Sequence, residues 1–264
     1  MEDTRKYVME LRVAEVRRVH ERYVLLRLTR EEPLPVMWPG QFVEVRVDDV
    51  PQVLLRRPIS VNFVDRERNE LWLLVAVVGE GTRRMARLQA GDAVSVVGPL
   101  GRGFAIQGGE TALPTGRLLV GGGVGVAPLL YLGAVLKAAG TEPVFLLGAR
   151  TANDLLMLDE FRKYGEVFVT TEDGSEGERG FVTQHTVLQK RTFGLIQTCG
   201  PTPMMKAVAR FAYQQGIECE VSLENMMACG LGACLCCVEK TTAGNLCVCK
   251  DGPVFNIKKL LWQI

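Results

Sequence analysis

The sequence predicts a multidomain α/β plus β protein. An N-terminal antiparallel β-barrel is followed by a central parallel α/β domain and a small C-terminal metal-binding segment. Three observations carry this. Short apolar runs alternate with turn residues over the first hundred positions, the pattern changes at Arg117 to strand, glycine loop and helix, and six of eight cysteines lie between Cys229 and Cys249. The expected domains are 1–108, 109–222 and 223–264, with the first boundary inside 108–116.

In the first domain the runs YVLLRLT (23–29), QFVEVRV (41–47), LWLLVAVV (71–78) and AVSVVG (93–98) are separated by EEPLP, WPG, DDVP, AGD and GPLGRG. This rhythm of strands and breakers belongs to an antiparallel barrel or sandwich, with one helix near GTRRMARLQAG. The second domain begins with RLLV, a glycine loop and the helix PLLYLGAVL. It continues with PVFLLGAR, a helix near NDLLMLDEFRKYG, VFVTTEDG, a helix near VTQHTVLQKR, FGLIQTCG, PTPMMKAVARFAYQQG and IECEVSLE. Strands alternating with helices at this spacing form a parallel sheet covered on both faces. Beyond Leu223 the rhythm ends and the cysteine-dense segment closes in an apolar and basic tail.

The 264 residues carry a formal net charge of +1 with no basic block, so neither nucleic acid nor an anionic membrane is an expected partner. The N-terminal MEDTRKYVMELRV is too charged for a signal peptide, and no apolar run reaches the roughly 18 residues of a membrane span. A cytoplasmic location is expected. Only His20 and His185 are present, which gives little basis for a histidine-rich metal site.

Cysteine is absent from the first 198 residues and then crowds one loop, which reads as a metal site rather than a disulfide framework. The spacing Cys229-x4-Cys234-x2-Cys237-x11-Cys249 follows the plant-type C-x4-C-x2-C…C pattern of a [2Fe-2S] cluster. Four thiolates must converge on two irons, and Gly230, Gly232 and Ala233 suit a loop that wraps closely and aims N–H groups at sulfur. A structural zinc site is the competing reading, although zinc ribbons favour paired C-x2-C spacings. Spacing leaves Cys247 open as an alternative to Cys249. Cys236 would break the pattern, and Cys219 reads as a small apolar strand residue.

Upstream, Leu55-Arg56-Arg57-Pro58-Ile59-Ser60 follows Pro39-Gly40-Gln41-Phe42 and precedes Gly79-Glu80-Gly81-Thr82 at a helix start. A guanidinium fork suits a diphosphate, and a helix start offers N–H groups for a second phosphate, while a solvated Arg-Arg-Pro turn is the plain alternative. The run resembles the R-x-x-S flavin motif of the ferredoxin reductase superfamily, in which the arginine meets the flavin pyrophosphate and the serine nears the ring. Gly121, Gly122, Gly123, Gly125 and Pro128 sit between a strand and a helix, as a nucleotide phosphate loop requires, but depart from strict G-x-G-x-x-G. The G-G-x-G-x-A-P form resembles the nicotinamide domain of that superfamily. Thr198, Cys199 and Gly200 match its cysteine-glycine corner beside the nicotinamide, although Cys199 also reads as a plain buried thiol. Glu172 and Asp173 would repel a 2′-phosphate and favour NADH over NADPH, an inference that nearby Arg150 weakens.

Over nearly its whole length the chain resembles the electron-transfer subunit family of type B dihydroorotate dehydrogenase. Most specific are Arg57-Pro58-Ile59-Ser60, the run 224–234 (ENMMACGLGAC), and 248–255 (VCKDGPVF). The resemblance selects Cys249 over Cys247, because the family's fourth ligand directly precedes a K-[DE]-G-P-V-F-like run. It places FAD contacts at Arg57, Pro58, Ile59, Ser60, Leu74, Val75, Ala76, Gly81 and Thr82. At 74–76 this chain departs from relatives with polar or aromatic groups and leaves backbone contacts only. Ser60 and Cys199 are the residues expected beside the reacting rings. The resemblance implies NAD(H), FAD and a [2Fe-2S] cluster in series, with electrons exchanged with the FMN of a separate catalytic subunit that oxidises dihydroorotate in UMP synthesis. It also implies a heterotetramer of two plus two subunits. The alternative is the small subunit of another NADH-dependent flavin and iron-sulfur oxidoreductase, such as a ferredoxin:NADP oxidoreductase, a sulfide dehydrogenase or a hydrogenase diaphorase.

Overall fold

The computed structural model describes residues 5–106 and 116–263. The first strand, β1 (Tyr7–His20), buries Met9, Leu11 and Val13 while Val8, Glu10 and Arg12 face water. That alternation marks a strand with one covered face. It is followed by β2 (Tyr23–Thr29), β3 (Phe42–Val45), β4 (Arg57–Asp65), β5 (Glu70–Ala76), the helix α1 (Glu80–Met85) and β6 (Ala93–Leu100). The six strands close in the order β1-β2-β5-β4-β3-β6 with every pair antiparallel. Closure leaves no open sheet edge, and inward Met9, Leu26, Val43, Val61, Leu73 and Val96 fill the interior.

The second layer consists of β7 (Arg117–Gly122), α2 (Ala127–Ala138), β8 (Pro143–Ala149), α3 (Leu158–Arg162), β9 (Glu166–Thr171), β10 (Glu178–Arg179), α4 (Val187–Lys190), β11 (Leu195–Cys199), α5 (Thr202–Gln214) and β12 (Glu218–Ser222). The last stretch adds β13 (Val238–Thr241), β14 (Gly244–Cys247), α6 (Val248–Asp251) and β15 (Val254–Asn256). The sheet runs β10-β9-β8-β7-β11-β12-β15, parallel from β10 to β12, and β15 pairs antiparallel with β12. The seventh strand therefore comes from the cysteine-rich segment, which the sequence pattern presents only as a tail. Leu223 N–H also donates to Pro253 O at 2.9 Å. The expected boundary at 108/109 lies outside the described residues.

Two expected helices are broken. In 153–165, Met157 adopts φ +57° and leaves only a 3-10 turn and the five-residue α3. In 182–191, extended His185 accepts from Val187 N–H at 3.0 Å and separates a 3-10 turn from α4. Barrel and sheet share a core in which Leu25 and Leu74 pack with Leu129, Leu130 and Phe145. Asn62 donates to Ala127 O at 2.9 Å, and the Tyr131 hydroxyl donates to Met37 O at 3.2 Å. These contacts fix α2 on β4 and set the orientation of the two domains. Among the described residues no helix is long and apolar enough to cross a membrane.

Candidate electron-transfer centre

Strand β4 changes partner midway. Its first half, 57–60, pairs with β3, whereas Val61 onward pairs with β5 from Leu73 back to Glu70. Beyond Leu73, residues 74–76 pair only with β2. The two strands thus diverge and leave a slot with Arg57, Pro58, Ile59 and Ser60 on one wall and Leu74, Val75 and Ala76 on the other. The Leu74 and Val75 side chains are buried, so this second wall offers backbone groups.

The two adjacent arginines do different work. Arg56 is spent on the barrel, donating to Ser95 O at 2.8 Å and Ser95 Oγ at 3.1 Å. Arg57 is half-buried and turns toward α1, where a Cβ on Gly81 would stand 3.0 Å from its Nε. Glycine at 81 lets that guanidinium lie against the helix. Thr82 Oγ1 accepts from Val78 and Gly79 N–H, both at 3.0 Å, and fixes the entry into α1.

In an open α/β sheet, ligands bind in the crevice at the carboxyl ends of strands flanking the switch in strand order. Here β7 lies between β8 and β11, and Gly122 and Gly123 meet Pro201 and Met204 across a cavity of about 540 Å³. A Cβ on Gly125 would stand 2.4 Å from Gly200 Cα, so the loop after β7 can touch the corner after β11 only with glycine there. Arg150, Thr170 and Glu172 line the far side, and Arg22 and Tyr23 reach in from the barrel. Thr198 is fully buried with Oγ1 unpartnered. Burial drives the Cys199 thiol far above its ordinary range, so it is a neutral group there and not a thiolate.

Residues 224–237 form no helix or strand, and Gly230, Gly232 and Leu235 all take positive φ. This winding turns amide groups inward. Leu231 N–H donates to Cys229 Sγ at 3.3 Å, Gly232 N–H to Cys249 Sγ at 3.1 Å, and Cys249 N–H to Cys237 Sγ at 3.3 Å. Cys234 lies close enough to Cys229, and Cys237 to Cys249, for each to alter its neighbour's proton affinity. Cys229 is held down to about 6 chiefly by the Leu231 N–H, helped by Cys234 and Ala233, whereas burial and Cys237 push Cys249 up to about 12.

Among the described residues no three His, Cys, Asp or Glu side chains gather as a cage for one ion. Cys229, Cys234 and Cys237 on one loop and Cys249 on the short helix after it, with N–H donors at three of the sulfurs, could instead supply the thiolates of a two-iron cluster, whose potential such hydrogen bonds would tune. Cys247 is buried and donates to Gly232 O at 3.9 Å, while Cys236 is exposed.

The loop rests on the barrel. A Cβ on Gly230 would stand 2.9 Å from Glu44 Cγ and from Leu100 Cδ1. Glu44 is 2% exposed, and neither carboxyl oxygen has a hydrogen-bond partner. Burial raises it to about 7 against the pull of Arg56 and Arg57, with Cys229 adding to the rise. Sequence reasoning missed Glu44 because its alternation in FVEV looks solvent-facing. It missed Arg22 and Tyr23 because nothing local marks them as facing a loop a hundred residues later.

A flavin-type barrel joined to a nicotinamide sheet and a cysteine loop defines an iron-sulfur reductase of the ferredoxin reductase kind. Residues 224–261 match the iron-sulfur cluster binding domain of dihydroorotate dehydrogenase B, and 119–210 match the oxidoreductase NAD-binding domain. The chain is 41% identical over 225 residues to the dihydroorotate dehydrogenase B (NAD(+)) electron transfer subunit of Fusobacterium nucleatum, covering 82% of this chain and 84% of that one. It is 43% identical over 228 residues to the subunit of the same name from Lysinibacillus sphaericus, covering 83% and 85%. A solved NADH-dependent reduced ferredoxin-NADP oxidoreductase, studied for flavin-based electron bifurcation, aligns with TM-score 0.85 and 32% identity over 96% of this chain and 90% of that one. The chain belongs to the family of dihydroorotate dehydrogenase B electron-transfer subunits. Its cofactors are FAD, a [2Fe-2S] cluster and NAD(H).

Proposed function

We propose that FAD lies in the β4–β5 slot, NAD(H) in the crevice at Gly121, Gly122, Gly123 and Gly125, and the [2Fe-2S] cluster on Cys229, Cys234, Cys237 and Cys249. The observation that carries this reading is the set of cysteines with backbone N–H groups donated to Cys229, Cys237 and Cys249 sulfur, on a loop packed against β3 and β6 of the barrel, β3 being the strand that pairs with 57–60. Arg57 holds the FAD pyrophosphate beside Gly81 and Thr82, while Pro58, Ile59 and Ser60 and the backbone of Leu74, Val75 and Ala76 border the flavin ring. Thr198, Cys199 and Gly200 shape the nicotinamide end of the crevice, where neutral Cys199 acts by packing. When bound, FAD takes an electron pair as hydride and the cluster relays electrons singly. The protein's share is to fix the order, to exclude water with the shared apolar core, and to stabilise thiolate sulfur with amides.

The partner in this reading is an FMN-containing catalytic subunit that oxidises dihydroorotate to orotate, in a cytoplasmic two-plus-two heterotetramer serving UMP synthesis. Its support is the name shared by relatives at 41% and 43% identity. The 32% identical ferredoxin-NADP oxidoreductase favours a second reading, the small subunit of that enzyme type. The match at 224–261 to the dihydroorotate dehydrogenase cluster domain tips the balance to the first. The absorption spectrum of the purified chain tests both against a zinc module. Flavin bands over reddish-brown iron-sulfur absorption, with the flavin bands bleached by NADH, are expected; a colourless protein with one zinc would overturn the assignment.

A further inference from the structure

The nicotinamide crevice is not built from the sheet alone. The turn between β1 and β2 carries Arg22 into its wall beside Tyr23 at the start of β2, and among the described residues, chain neighbours aside, the Tyr23 hydroxyl is the heavy atom within 4 Å of where a Cβ on Gly123 would stand, at 3.9 Å. Gly123 has φ +56° and opens the turn where β7 gives way to α2, the place where a dinucleotide diphosphate is held in such sheets. Four charged side chains line the cavity. Arg150 and Glu172 follow β8 and β9 on the far side, whereas Arg22 adjoins the residue that faces Gly123.

Arg22 is bonded to Asp154, Nη2 to Oδ1 at 2.9 Å, with half of its side chain exposed. Asp154 also accepts from Thr151 Oγ1 at 3.0 Å and so keeps a partner when Arg22 leaves. An ion pair with one half-exposed member contributes little stability, so exchanging the carboxylate for another anion costs little. Its backbone is better fixed. Arg22 N–H donates to His20 Nδ1 at 3.1 Å, and Arg22 O accepts from Val77 N–H at 2.8 Å. Val77 directly continues the residues 74–76 that wall the slot on β5.

We propose that Arg22 is a nucleotide-binding residue supplied by the barrel: its guanidinium engages the diphosphate of the nicotinamide dinucleotide at Gly123, exchanging Asp154 for phosphate oxygens. The clamp joins the dinucleotide to the domain that holds the flavin and so positions the hydride donor from both sides of the crevice. The inference rests on NAD(H) binding in that crevice. A guanidinium also offers a bidentate fork that an ammonium cannot reproduce.

The test compares the full holo chain with Arg22→Gln and Arg22→Lys, each checked for unchanged FAD content and circular dichroism. Calorimetry gives the Kd for NAD+, and stopped flow gives flavin reduction by NADH and by dihydronicotinamide riboside, which lacks the diphosphate. Arg22→Gln should raise the Kd about tenfold, as for loss of one charged hydrogen-bonding contact. Arg22→Lys should recover part of the affinity, and reduction by the riboside should be unchanged in both. An unchanged Kd overturns the proposal. Equal losses with NADH and the riboside overturn it too, since they make Arg22 a brace of the hairpin. Failure of the unsubstituted chain to bind NAD+ would instead contradict the functional reading.

Discussion

Replacing Glu44 with Gln isolates the effect of one buried charge at the seam between barrel and cluster loop. The carboxyl is 2% exposed, has no hydrogen-bond partner and is raised from 4.5 to about 7, first by burial. A raised pKa means that the folded chain binds this proton more tightly than the unfolded one. The associated stability is therefore present below pH 4.5 and lost as pH rises through 7. The rise from 4.5 to about 7 corresponds to roughly 3 kcal/mol, most of it expressed between pH 5 and pH 8. Glutamine keeps the shape and cannot ionise, so Glu44→Gln should gain on the parent by roughly 2 to 3 kcal/mol on going from pH 5 to pH 8. Anaerobic guanidinium unfolding of the holo chain, followed by circular dichroism at both pH values, reads the difference. An identical effect of the substitution at pH 5 and pH 8 would mean that Glu44 carries no buried charge, because an uncharged packing change has no such dependence.

Cys249→Ser should lose the cluster and electron transfer to a partner while keeping NADH-to-dye reduction at the flavin; Cys247→Ser should keep the cluster, and iron and sulfide analysis separates the two. Arg57→Ala should lower FAD occupancy after gel filtration, whereas Arg56→Ala, which removes the ties to Ser95, should lower the thermal midpoint with FAD retained. Gly125→Ala would drive a Cβ to 2.4 Å from Gly200 Cα. Overpacking of this kind typically costs about 1–3 kcal/mol, and it should weaken NAD+ binding in calorimetry before it affects the flavin.

The parts of the molecule legible in the sequence are those in which chemistry depends on local order. The apolar runs that form β2, β3, β5 and β6, the glycine run after β7 and the cysteine spacing are each set by neighbours along the chain. What could not be read depends on which distant surface lands where. Glu44 sits in an alternating strand, and the loop around Gly230 packs against its outward face. Arg22 lies on a hairpin tip whose partner, Asp154, is 132 residues away. Strand β15 is three residues long and becomes a sheet member only because β12 offers it an edge. Helix α3 is cut short by a left-handed Met157, a conformation no propensity favours.

The path itself is tested most directly by mixing the holo chain anaerobically with the dihydroorotate-oxidising catalytic subunit, dihydroorotate and NAD+, and following absorbance at 340 nm. NADH should form only when this chain is present, and its formation should disappear with Cys249→Ser. No NADH from a chain loaded with FAD and cluster, while the catalytic subunit alone still reduces a dye, would contradict that path.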